Sequence, residues 1–526
     1  MKMTIQNRFL TFPVNKNRPS KKVMLHENGE LVFDLDIRLD NISPNFTAYV
    51  DVSRFFGKEL MLSCDPEMPL SVGTADELSF DDLYREPTRP DLHFTVKNGW
   101  NNDPNGLCYH NGVYHMYFQY NPCDTGWGNM HWGHAVSRDL LHWGELDTVL
   151  APDENGTMYS GCALIDRNNL SDLGNQTDPV LLYYYTAAGA RNIISADKKT
   201  TQRLAYSTDG GKTLIKYPHA ILDHIVSNNR DPKVAWVSEM NAYVMILYLD
   251  KNDFRLFRST DLFHWEPFQT ITICNESECP NLIRVRVKDS SEYRWVIFGA
   301  NGIYIVGSFR NGQFVPEQEP CRPNTASRSY AGQCFDGTDD RVILIDWLRT
   351  AIPDSRFSQC MSIPNELWLE ESYGQYWLMR KPIDALESLR VTDESPSDIS
   401  LEERLCLPLS KKAYDLHLQA EYDAENVITL SIFGNELTIN MVKNEINANR
   451  QACPISVKKD VLDLRILVDT GSFEVFSDDG RFAFAAAVNA DPNLPTLYAK
   501  AKKPLRNAKL EVYGLQSIWN ESEVTS

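Results

Sequence analysis

The sequence predicts an all-β protein built around a β-propeller, and three observations predict it. Short segments rich in β-branched and aromatic residues, each bounded by Gly, Asn, Asp or Pro, recur along the whole chain. A turn motif repeats within its central part. Helical periodicity is scarce, and the best candidate is the short segment from Ile383 to Leu389, just after Pro382.

The repeated motif is seven residues long. It reads SRDLLHW from Ser137 to Trp143 and STDLFHW from Ser259 to Trp265, with a weaker copy from Ser207 to Thr213. A Ser-x-Asp sequence suits a turn, because short oxygen-bearing side chains accept hydrogen bonds from nearby backbone amides. The copies lie about 50 to 70 residues apart, the length of a four-stranded blade. They favour a propeller over roughly Pro90 to Glu370, whereas unrelated hairpins are the alternative.

Two regions of different character flank the propeller. Residues 1–88 alternate in the β manner and predict a small N-terminal β-domain, followed by the propeller domain at 89–380. Residues 381–400 combine the helical segment with a polar, Pro-containing run and predict a linker. Residues 401–526 again alternate, which predicts a C-terminal β-sandwich.

Chain length indicates the number of domains, and net charge indicates which classes of partner are expected. The chain has 526 residues, long enough for two or three domains, and carries a net charge of −19. Acidity and the lack of a basic stretch argue against a nucleic-acid partner. No apolar run of membrane length occurs, so we expect no membrane partner. A homo-oligomer is compatible with the sequence.

The cysteines and the first residues predict the compartment. Eleven cysteines include no CxxC pair, and the N-terminal residues lack the continuous apolar segment of a signal peptide. We therefore expect reduced thiols in a cytoplasmic protein; a secreted form whose signal has been removed is the alternative.

The sequence predicts neither a metal nor a cofactor. His131 and His134 stand three apart on a strand-like segment, which points them to opposite faces, and no cluster of further ligands accompanies them. Phosphate loops, nucleophile elbows and dinucleotide fingerprints are absent from the sequence.

Three acidic motifs are the candidates for chemistry. They are WNNDPNG around Asp103, RDPKV around Asp231 and ESECPNL around Glu278. Each motif alone is ambiguous, because Asp-Pro and Asn-Gly are common turn sequences. The three lie in different predicted blades, however, and the innermost strands of a propeller converge on one axis. Three acids distant in sequence can therefore meet in one pocket.

Convergent carboxyl groups suit glycoside hydrolysis. A retaining glycosidase uses one carboxylate as nucleophile and a second carboxyl group as acid and base. A third carboxylate can bind sugar hydroxyls and stabilise the positive charge that develops in the transition state.

These motifs closely resemble the signatures of glycoside hydrolase family 32, the family of invertases, inulinases, levanases and related β-fructosidases. The resemblance continues in further motifs, in the family's order, over most of residues 90 to 370. These motifs are FQYNP at 118–122, WGNMHWGH at 127–134, YSGCA at 159–163, SYAGQ at 329–333 and MSIP at 361–364.

The resemblance implies a five-bladed propeller with a C-terminal β-sandwich and a fructoside as substrate. It implies that Asp103 is the nucleophile that attacks C2 of the fructosyl unit, and that Glu278 is the acid/base. It implies that Asp231 stabilises the transition state and that Arg230 beside it binds substrate. Further positions that match the fructose subsite are Asn102, Gln119, Trp127 and Ser160.

Two positions depart from the usual pattern, since Asn101 replaces an apolar residue and Tyr159 stands where Phe is common. Residues 1–88 have no counterpart in many members of the family. Alternatives to a hydrolase are a fructosyltransferase on the same scaffold, a propeller that binds carbohydrate without cleaving it, and an inverting arabinan-type hydrolase. The three retained carboxylates favour an enzyme, and the NDPNG and ECP motifs disfavour the arabinan type.

Overall fold

The structure, a computed structural model, is almost entirely β, as the sequence predicts. The described residues are 1–174, 178–322, 325–350, 352–396, 405–455, 461–477 and 479–519. Helical structure among them is limited to short 3-10 segments, namely η1 (Ser53–Phe55), η2 (Ile193–Ser195), η3 (Ser238–Met240) and η4 (Asp384–Leu389). The last of these is the predicted helix; Leu386 and Leu389 are buried, as the three-residue repeat of a 3-10 helix requires. No helix in the described part of the chain is long and apolar enough to cross a membrane.

The N-terminal domain consists of two small antiparallel sheets around one apolar core. Its strands are β1 (Lys2–Thr4), β2 (Phe9–Val14), β3 (Lys21–Glu27), β4 (Glu30–Ile37), β5 (Phe46–Asp51), β6 (Glu59–Asp65) and β7 (Gly73–Ala75). One sheet has the order β1-β6-β3-β4 and the other β5-β2-β7. Alternation along β4 places Phe33, Leu35 and Ile37 in the core and leaves the residues between them on the opposite face.

The segment after the last strand of the N-terminal domain contacts more than one domain. That strand finishes at Ala75, and residues 76–88 contain no strand. Asp76 and Phe80 contact Asn7 and Tyr49 of the N-terminal domain. Tyr84 in this segment stacks on Trp519, with ring centroids 4.5 Å apart. The contact of Tyr84 holds the later part of the segment against the C-terminal part of the chain, and the domain boundary at residue 88 stays a prediction.

Five four-stranded antiparallel sheets follow. The first has β8 (Gly99–His110), β9 (Val113–Asn121), β10 (His131–Ser137) and β11 (Gly144–Glu145); the second has β12 (Thr157–Asp166), β13 (Val180–Ala188), β14 (Thr201–Ser207) and β15 (Ile215–Leu222). The third has β16 (Arg230–Val237), β17 (Ala242–Asp250), β18 (Asp253–Ser259) and β19 (Glu266–Thr272); the fourth has β20 (Asn281–Arg286), β21 (Tyr293–Phe298), β22 (Tyr304–Arg310) and β23 (Gln313–Pro316). The fifth has β25 (Ser329–Cys334), β26 (Val342–Leu348), β29 (Asn365–Ser372) and β30 (Gln375–Pro382), with short additions β24 (Thr325–Ser327), β27 (Phe357–Ser358) and β28 (Cys360–Met361) nearby.

These five sheets form a closed ring, which confirms the predicted propeller fold. The innermost strands β8, β12, β16, β20 and β25 contact one another in that order, and β25 contacts β8 again. Strand β27, from the fifth blade's segment, pairs in parallel with β8 and so joins the last blade to the first. Across the axis, the buried Lys233 Nζ donates to the carbonyl of Cys334 at 2.7 Å.

The repeated turns adopt one conformation in two blades. Ser137 Oγ and Asp139 Oδ1 accept hydrogen bonds from the next backbone amides, and Ser259 and Asp261 do the same in the third blade. The residues after the two aspartates have φ angles of 71° and 72°. Each turn follows a strand, as the repeat predicts, and connects the third strand of its blade to the fourth.

The C-terminal domain is a sandwich of two large sheets. Its strands are β31 (Arg390–Asp393), β32 (Leu405–Pro408), β33 (Tyr414–Glu421), β34 (Val427–Ile432), β35 (Asn435–Asn440), β36 (Glu445–Ala448), β37 (Gln451–Pro454), β38 (Val461–Asp469), β39 (Ser472–Ser477), β40 (Ala483–Ala487), β41 (Thr496–Ala501) and β42 (Lys509–Leu515). One sheet has the order β24-β40-β39-β38-β33-β42-β31 and the other β32-β41-β34-β35-β36-β37.

The predicted linker at 381–400 is therefore wrong in part. Residues 390–393 form the edge strand β31, whose Thr392 and Asp393 pair with Gly514 and Tyr513. An edge strand needs only one pairing partner, so a short polar segment can fill the position. Residues 397–400 of that prediction lie outside the described residues.

A buried charged cluster joins the propeller to the sandwich. His93, ahead of the first blade, places its Nδ1 2.8 Å from Asp469 Oδ2 and its Nε2 2.8 Å from Glu474 Oε2. Asp469 also accepts from the amide of Leu92, and Glu474 from the amide of Ile363. Burial opposes the charge on His93, but the two carboxylates outweigh it and raise its pKa to about 9. The charged side chain of His93 therefore binds the propeller to the sandwich.

Replacing His93 by Gln should destabilise the protein by about 3–5 kcal/mol, because two buried carboxylates lose their shared cation. The folded state holds the proton up to about pH 9, whereas the ordinary pKa of a histidine is 6.5. The stabilisation is therefore fully present below pH 6.5 and is lost as the pH rises through about 9. Urea unfolding at pH 6 and pH 9.5 measures the difference.

The matched control is His264→Gln, which removes an exposed His–Asp pair and should change stability little. Equal effects of the two substitutions, or a His93→Gln effect that grows with pH, would contradict the assignment.

Candidate active site

The candidate residues lie where the innermost strands begin. Asp103 is on β8, Ser160 is on β12 and Asp231 is on β16, while Glu278 lies in the turn just before β20. Because these strands surround a single axis, their first residues meet at one end of the propeller. The structure therefore brings together the three carboxylates that the sequence predicts.

Irregular backbone positions these side chains. The pairing register shifts at Asn101/Pro104 on β8 and at Arg230/Lys233 on β16, so both acids lie in β-bulges. Asp231 and Glu278 have φ angles of 62° and 51°, which are uncommon for residues other than Gly. A residue before proline usually adopts an extended conformation, and Asp231 precedes Pro232. The left-handed backbone instead turns its carboxylate toward the axis.

Asp103 is half-buried and is held by a chain of hydrogen bonds. Ser160 Oγ donates to Asp103 Oδ2 at 2.6 Å, and Gln119 Nε2 donates to Ser160 Oγ at 3.1 Å. Asn102 accepts from the backbone amide of Asp103 through its Oδ1 at 2.6 Å. Three predicted subsite residues therefore act on the position of the predicted nucleophile.

Asp231 lies against the same sulfur atom as Asp103. Cys279 Sγ is 3.5 Å from Oδ2 of each carboxylate, and the amide of Cys279 donates to Asp231 Oδ2 at 3.0 Å. The hydroxyl of Thr186 accepts from the amide of Asp231 at 2.9 Å and so supports its left-handed backbone. One residue next to Glu278 thus holds both other acids.

Glu278 is accessible, with a third of its side chain exposed. Arg230 Nη2 lies 2.8 Å from Glu278 Oε1, and Arg230 Nε lies 3.6 Å from Asp231 Oδ2. The guanidinium packs over the ring of Tyr248, with its central carbon 4.8 Å from the ring centroid. Arg230 therefore provides the positive charge between two of the acids.

Trp127 marks the open side of the site. Its ring is 57% exposed and packs edge-to-face on Tyr159, with centroids 6.2 Å apart. Tyr159 precedes Ser160 on β12, so Trp127 stands at the rim above the buried acids. An exposed ring beside polar groups suits the apolar face of a sugar.

Burial controls the electrostatics of the acids. It raises the pKa of Asp103 to about 7, an effect that the charge of Asp231 increases and the hydrogen bond from Ser160 opposes. Burial also raises the pKa of Asp231 to about 6, against the attraction of Arg230. Asp103 loses its charge on forming a bond to carbon, so burial favours the covalent state over the free carboxylate.

Some residues of the site carry no sequence signal of their role. Thr186 lies within an ordinary apolar strand, and its contact with Asp231 depends on the packing of the second blade against the third. Glu276 is the first residue of the ESECPNL motif, which predicts no role for it. Its buried carboxylate accepts from the amides of Ser277, Asn301 and Ile303 and fixes the turn that carries Glu278.

Fold and site together define a class of protein, a β-propeller with a glycosidase-type group of three carboxylates at one end of its axis. Residues 93–382 match the model of the "Glycosyl hydrolases family 32 N-terminal domain", and residues 385–513 match "Glycosyl hydrolases family 32 C terminal". The chain belongs to glycoside hydrolase family 32, as the motifs predict. Residues 1–92 lie outside both matches.

The chain is similar to an invertase, a levanase and an exo-inulinase. An invertase of Schizosaccharomyces pombe is 37% identical over 366 residues, covering 63% of this chain and 60% of the invertase. A levanase of Bacillus subtilis is 31% identical over 363 residues, covering 64% of this chain and 52% of the levanase. The chain thus spans between half and three-fifths of the length of these relatives. The crystal structure of an exo-inulinase from Aspergillus awamori shares the fold, with a TM-score of 0.75 at 23% identity over 83% of this chain and 100% of that one.

The raised pKa of Asp103 predicts that this residue destabilises the native protein. The folded state holds the proton to about pH 7, whereas the ordinary pKa of an aspartate is 3.8, so stability falls as the pH rises between those values. Asp103→Asn keeps the shape and removes the charge. The variant should match the wild type near pH 4 and exceed its unfolding free energy at pH 8.

Chemical denaturation at the two pH values measures this difference. Asp197→Asn, at an exposed acid whose pKa is lowered by Lys198, is the matched control and should give no such gain. An Asp103→Asn variant that is less stable than the wild type at pH 8 would contradict the electrostatic description.

Proposed function

We propose that this protein is a retaining β-fructofuranosidase that releases fructose from the non-reducing end of sucrose or fructo-oligosaccharides and fructans. The observation that carries the proposal is the convergence of Asp103, Asp231 and Glu278 at one end of the propeller axis. Membership in glycoside hydrolase family 32 and the invertase and levanase names of relatives support the substrate class.

In the first step, Asp103 attacks C2 of the fructosyl unit and the bond to the leaving oxygen breaks. Glu278 gives its proton to that oxygen, which suits its accessible position at the site. Ser160 keeps one carboxylate oxygen of Asp103 occupied at 2.6 Å, which leaves the other oxygen for the attack. The product is a fructosyl ester of Asp103 and the released sugar.

In the second step, Glu278 acts as a base on a water molecule, which attacks C2 and regenerates the carboxylate of Asp103. Two displacements at the same carbon retain its configuration. The hydrolase names of the relatives favour water over a second sugar as the acceptor.

Asp231 and Arg230 act on the transition state and on the sugar hydroxyls. The carboxylate of Asp231 is buried beside that of Asp103 and faces the position where positive charge develops on the ring. Arg230 offsets the charge of Asp231 and of Glu278, so its removal should affect both. Asn102 and Gln119 would line the fructose subsite, with Trp127 at its rim.

The predicted cytoplasmic location stays a prediction. It is supported by the state of the cysteines, since all eleven are free thiols and nine of them are buried.

Removal of either reacting group should abolish most of the turnover without unfolding the protein. Glu278→Gln should lower kcat by about 10²- to 10⁴-fold, the range of general acid–base catalysis, and Asp103→Asn by at least as much. A fructoside whose leaving group needs no protonation should recover the first step in Glu278→Gln but not in Asp103→Asn. Stopped-flow release of the leaving group measures this step.

The control is Glu266→Gln, an exposed glutamate on the outer strand β19, which should turn over sucrose like the wild type. Near-normal sucrose turnover by Asp103→Asn or Glu278→Gln would overturn the assignment of roles.

Product analysis tests the proposed function itself. Incubation with sucrose, kestose, inulin and levan should release free fructose one unit at a time, because the proposed reaction takes place at the terminal fructosyl unit. Chromatography of the products measures it. Absence of free fructose from all four substrates, or a predominance of longer oligosaccharides, would contradict the proposed hydrolysis.

A further inference from the structure

The N-terminal domain lies against the two loops that border the open side of the site. We name the segment 122–130 between β9 and β10 the tryptophan loop, because it carries Trp127. The segment 189–196 after β13 is the arginine loop, because it carries Arg191. Both loops lie at the active-site end, since β9 ends opposite Trp100 and β13 ends opposite Thr157.

The tryptophan loop is bound to the N-terminal domain at several points. Asn129 donates through Nδ2 to the carbonyl of Asp36 at 2.6 Å and accepts from the amide of Asp36 at 2.7 Å. Arg38 donates through Nε to Asp124 Oδ2 at 2.7 Å and contacts the same carboxylate again through Nη2. Cys123 is fully buried within the apolar core of the N-terminal domain. These contacts bracket Trp127 on both sides.

The arginine loop is bound to the same strand of the N-terminal domain. Asp34 accepts hydrogen bonds from the amides of Ile193 and Ile194 at 3.0 and 3.1 Å, and its side chain is fully buried. These amides begin the 3-10 helix η2, whose own preceding residue, Asn192, makes no side-chain cap. A carboxylate from another domain thus supplies the helix cap.

The three residues that hold the loops lie along one strand. Asp34, Asp36 and Arg38 are each two residues apart, on β4 and just beyond it, so their side chains lie on one face. Asp34 and Arg38 bind the loops through their side chains, whereas Asp36 binds Asn129 through its backbone amide and carbonyl. The residues between them face the core of the N-terminal domain. One face of β4 therefore stabilises its own domain and the other contacts the propeller loops.

Both loops lie at the active-site end of the propeller. Trp127 packs on Tyr159. Burial raises the pKa of Tyr159, and the charges of Arg191 and Arg230 oppose that rise. Arg191 is exposed, so an aromatic ring and a cation are both carried by loops at the active-site end of the propeller.

We infer that the N-terminal domain is part of the substrate site: Asp34, Asp36 and Arg38 of its strand position the tryptophan loop and the arginine loop. The loops form a wall for the sugar units beyond the fructose that is cleaved. This inference rests on the proposed function and deepens it. The buried acids select the terminal fructosyl unit, and the wall selects what is attached to it. Asp34 and Arg38 are positioning residues, since neither touches the reacting atoms.

The test compares substrates that reach the wall with one that does not. Methyl β-D-fructofuranoside fills the fructose subsite only, whereas nystose extends past it. In Arg38→Ala and in Asp34→Asn, kcat/KM for nystose should fall by about five- to tenfold, the effect of losing one or two charge-assisted hydrogen bonds. For the methyl fructoside, kcat/KM should stay within about twofold of the wild type, because Asp103, Asp231 and Glu278 keep their own contacts.

Two measurements separate positioning from general damage. Lys58→Ala removes an exposed ion pair with Glu27 inside the N-terminal domain, away from both loops, and should leave both substrates unaffected. Arg38→Lys keeps the charge without the two-point contact and should lie between the wild type and Arg38→Ala. Thermal unfolding of each full-length variant confirms that it is folded at the assay temperature.

Unchanged selectivity between nystose and the methyl fructoside in both Arg38→Ala and Asp34→Asn would overturn the inference while leaving the proposed function intact. An equal loss for both substrates would overturn it too, since that result indicates damage to the fructose subsite. A wild-type protein that cleaves neither substrate would overturn the proposed function, and the inference with it.

Discussion

The structure depends on holding two carboxylates beside each other, one buried and one half-buried. Asp103 and Asp231 share the sulfur of Cys279 as a neighbour; Asp231 is buried and Asp103 is half-buried among the ends of the innermost strands. Like charges in a buried site repel and lack hydration, which costs free energy unless donors and a cation compensate. The hydroxyl of Ser160, the amide of Cys279 and the guanidinium of Arg230 provide that compensation. They come from different blades, so the site exists only when the ring is closed.

The same requirement explains the irregular backbone around the acids. Bulges on β8 and β16 and left-handed residues at 231 and 278 are unfavourable in isolation, and regular pleating would direct these side chains differently. Thr186 and Glu276 accept the amides that this backbone leaves unpaired, so the neighbouring strands stabilise the distortion. The rigid frame extends to the sandwich, where the charged His93 holds two domains together across a buried contact.

The N-terminal domain adds contacts that lie outside the propeller and the sandwich. The family match begins at residue 93, and the carboxylates lie within it. The loops at the rim are held from outside it, by the strand that ends near residue 37. Chemistry and the shape of the entrance are therefore assigned to different parts of the chain. Such a division allows the entrance to vary without disturbing the compensation of the buried charges.

The sequence by itself determined the class of fold, the repeat of the blades and the identity of the three acids. Strand periodicity, the Ser-x-Asp turns and the residues around Asp103 and Glu278 are local features, and local features act through nearby backbone and side-chain chemistry. The predictions failed where tertiary contacts override local composition. Residues 390–393 look like a linker because they are polar, yet an edge position in the sandwich makes them a strand.

Only the tertiary structure decided how the acids are supported and where the N-terminal domain acts. Thr186 has no distinguishing sequence, and its role arises because β13 packs beside β16. The pattern of Asp34, Asp36 and Arg38 reads as an ordinary solvated face of a strand until the propeller loops are placed against it. Pairings between residues about a hundred positions apart depend on the closure of the whole chain, and alternation within one strand contains no information about its partner.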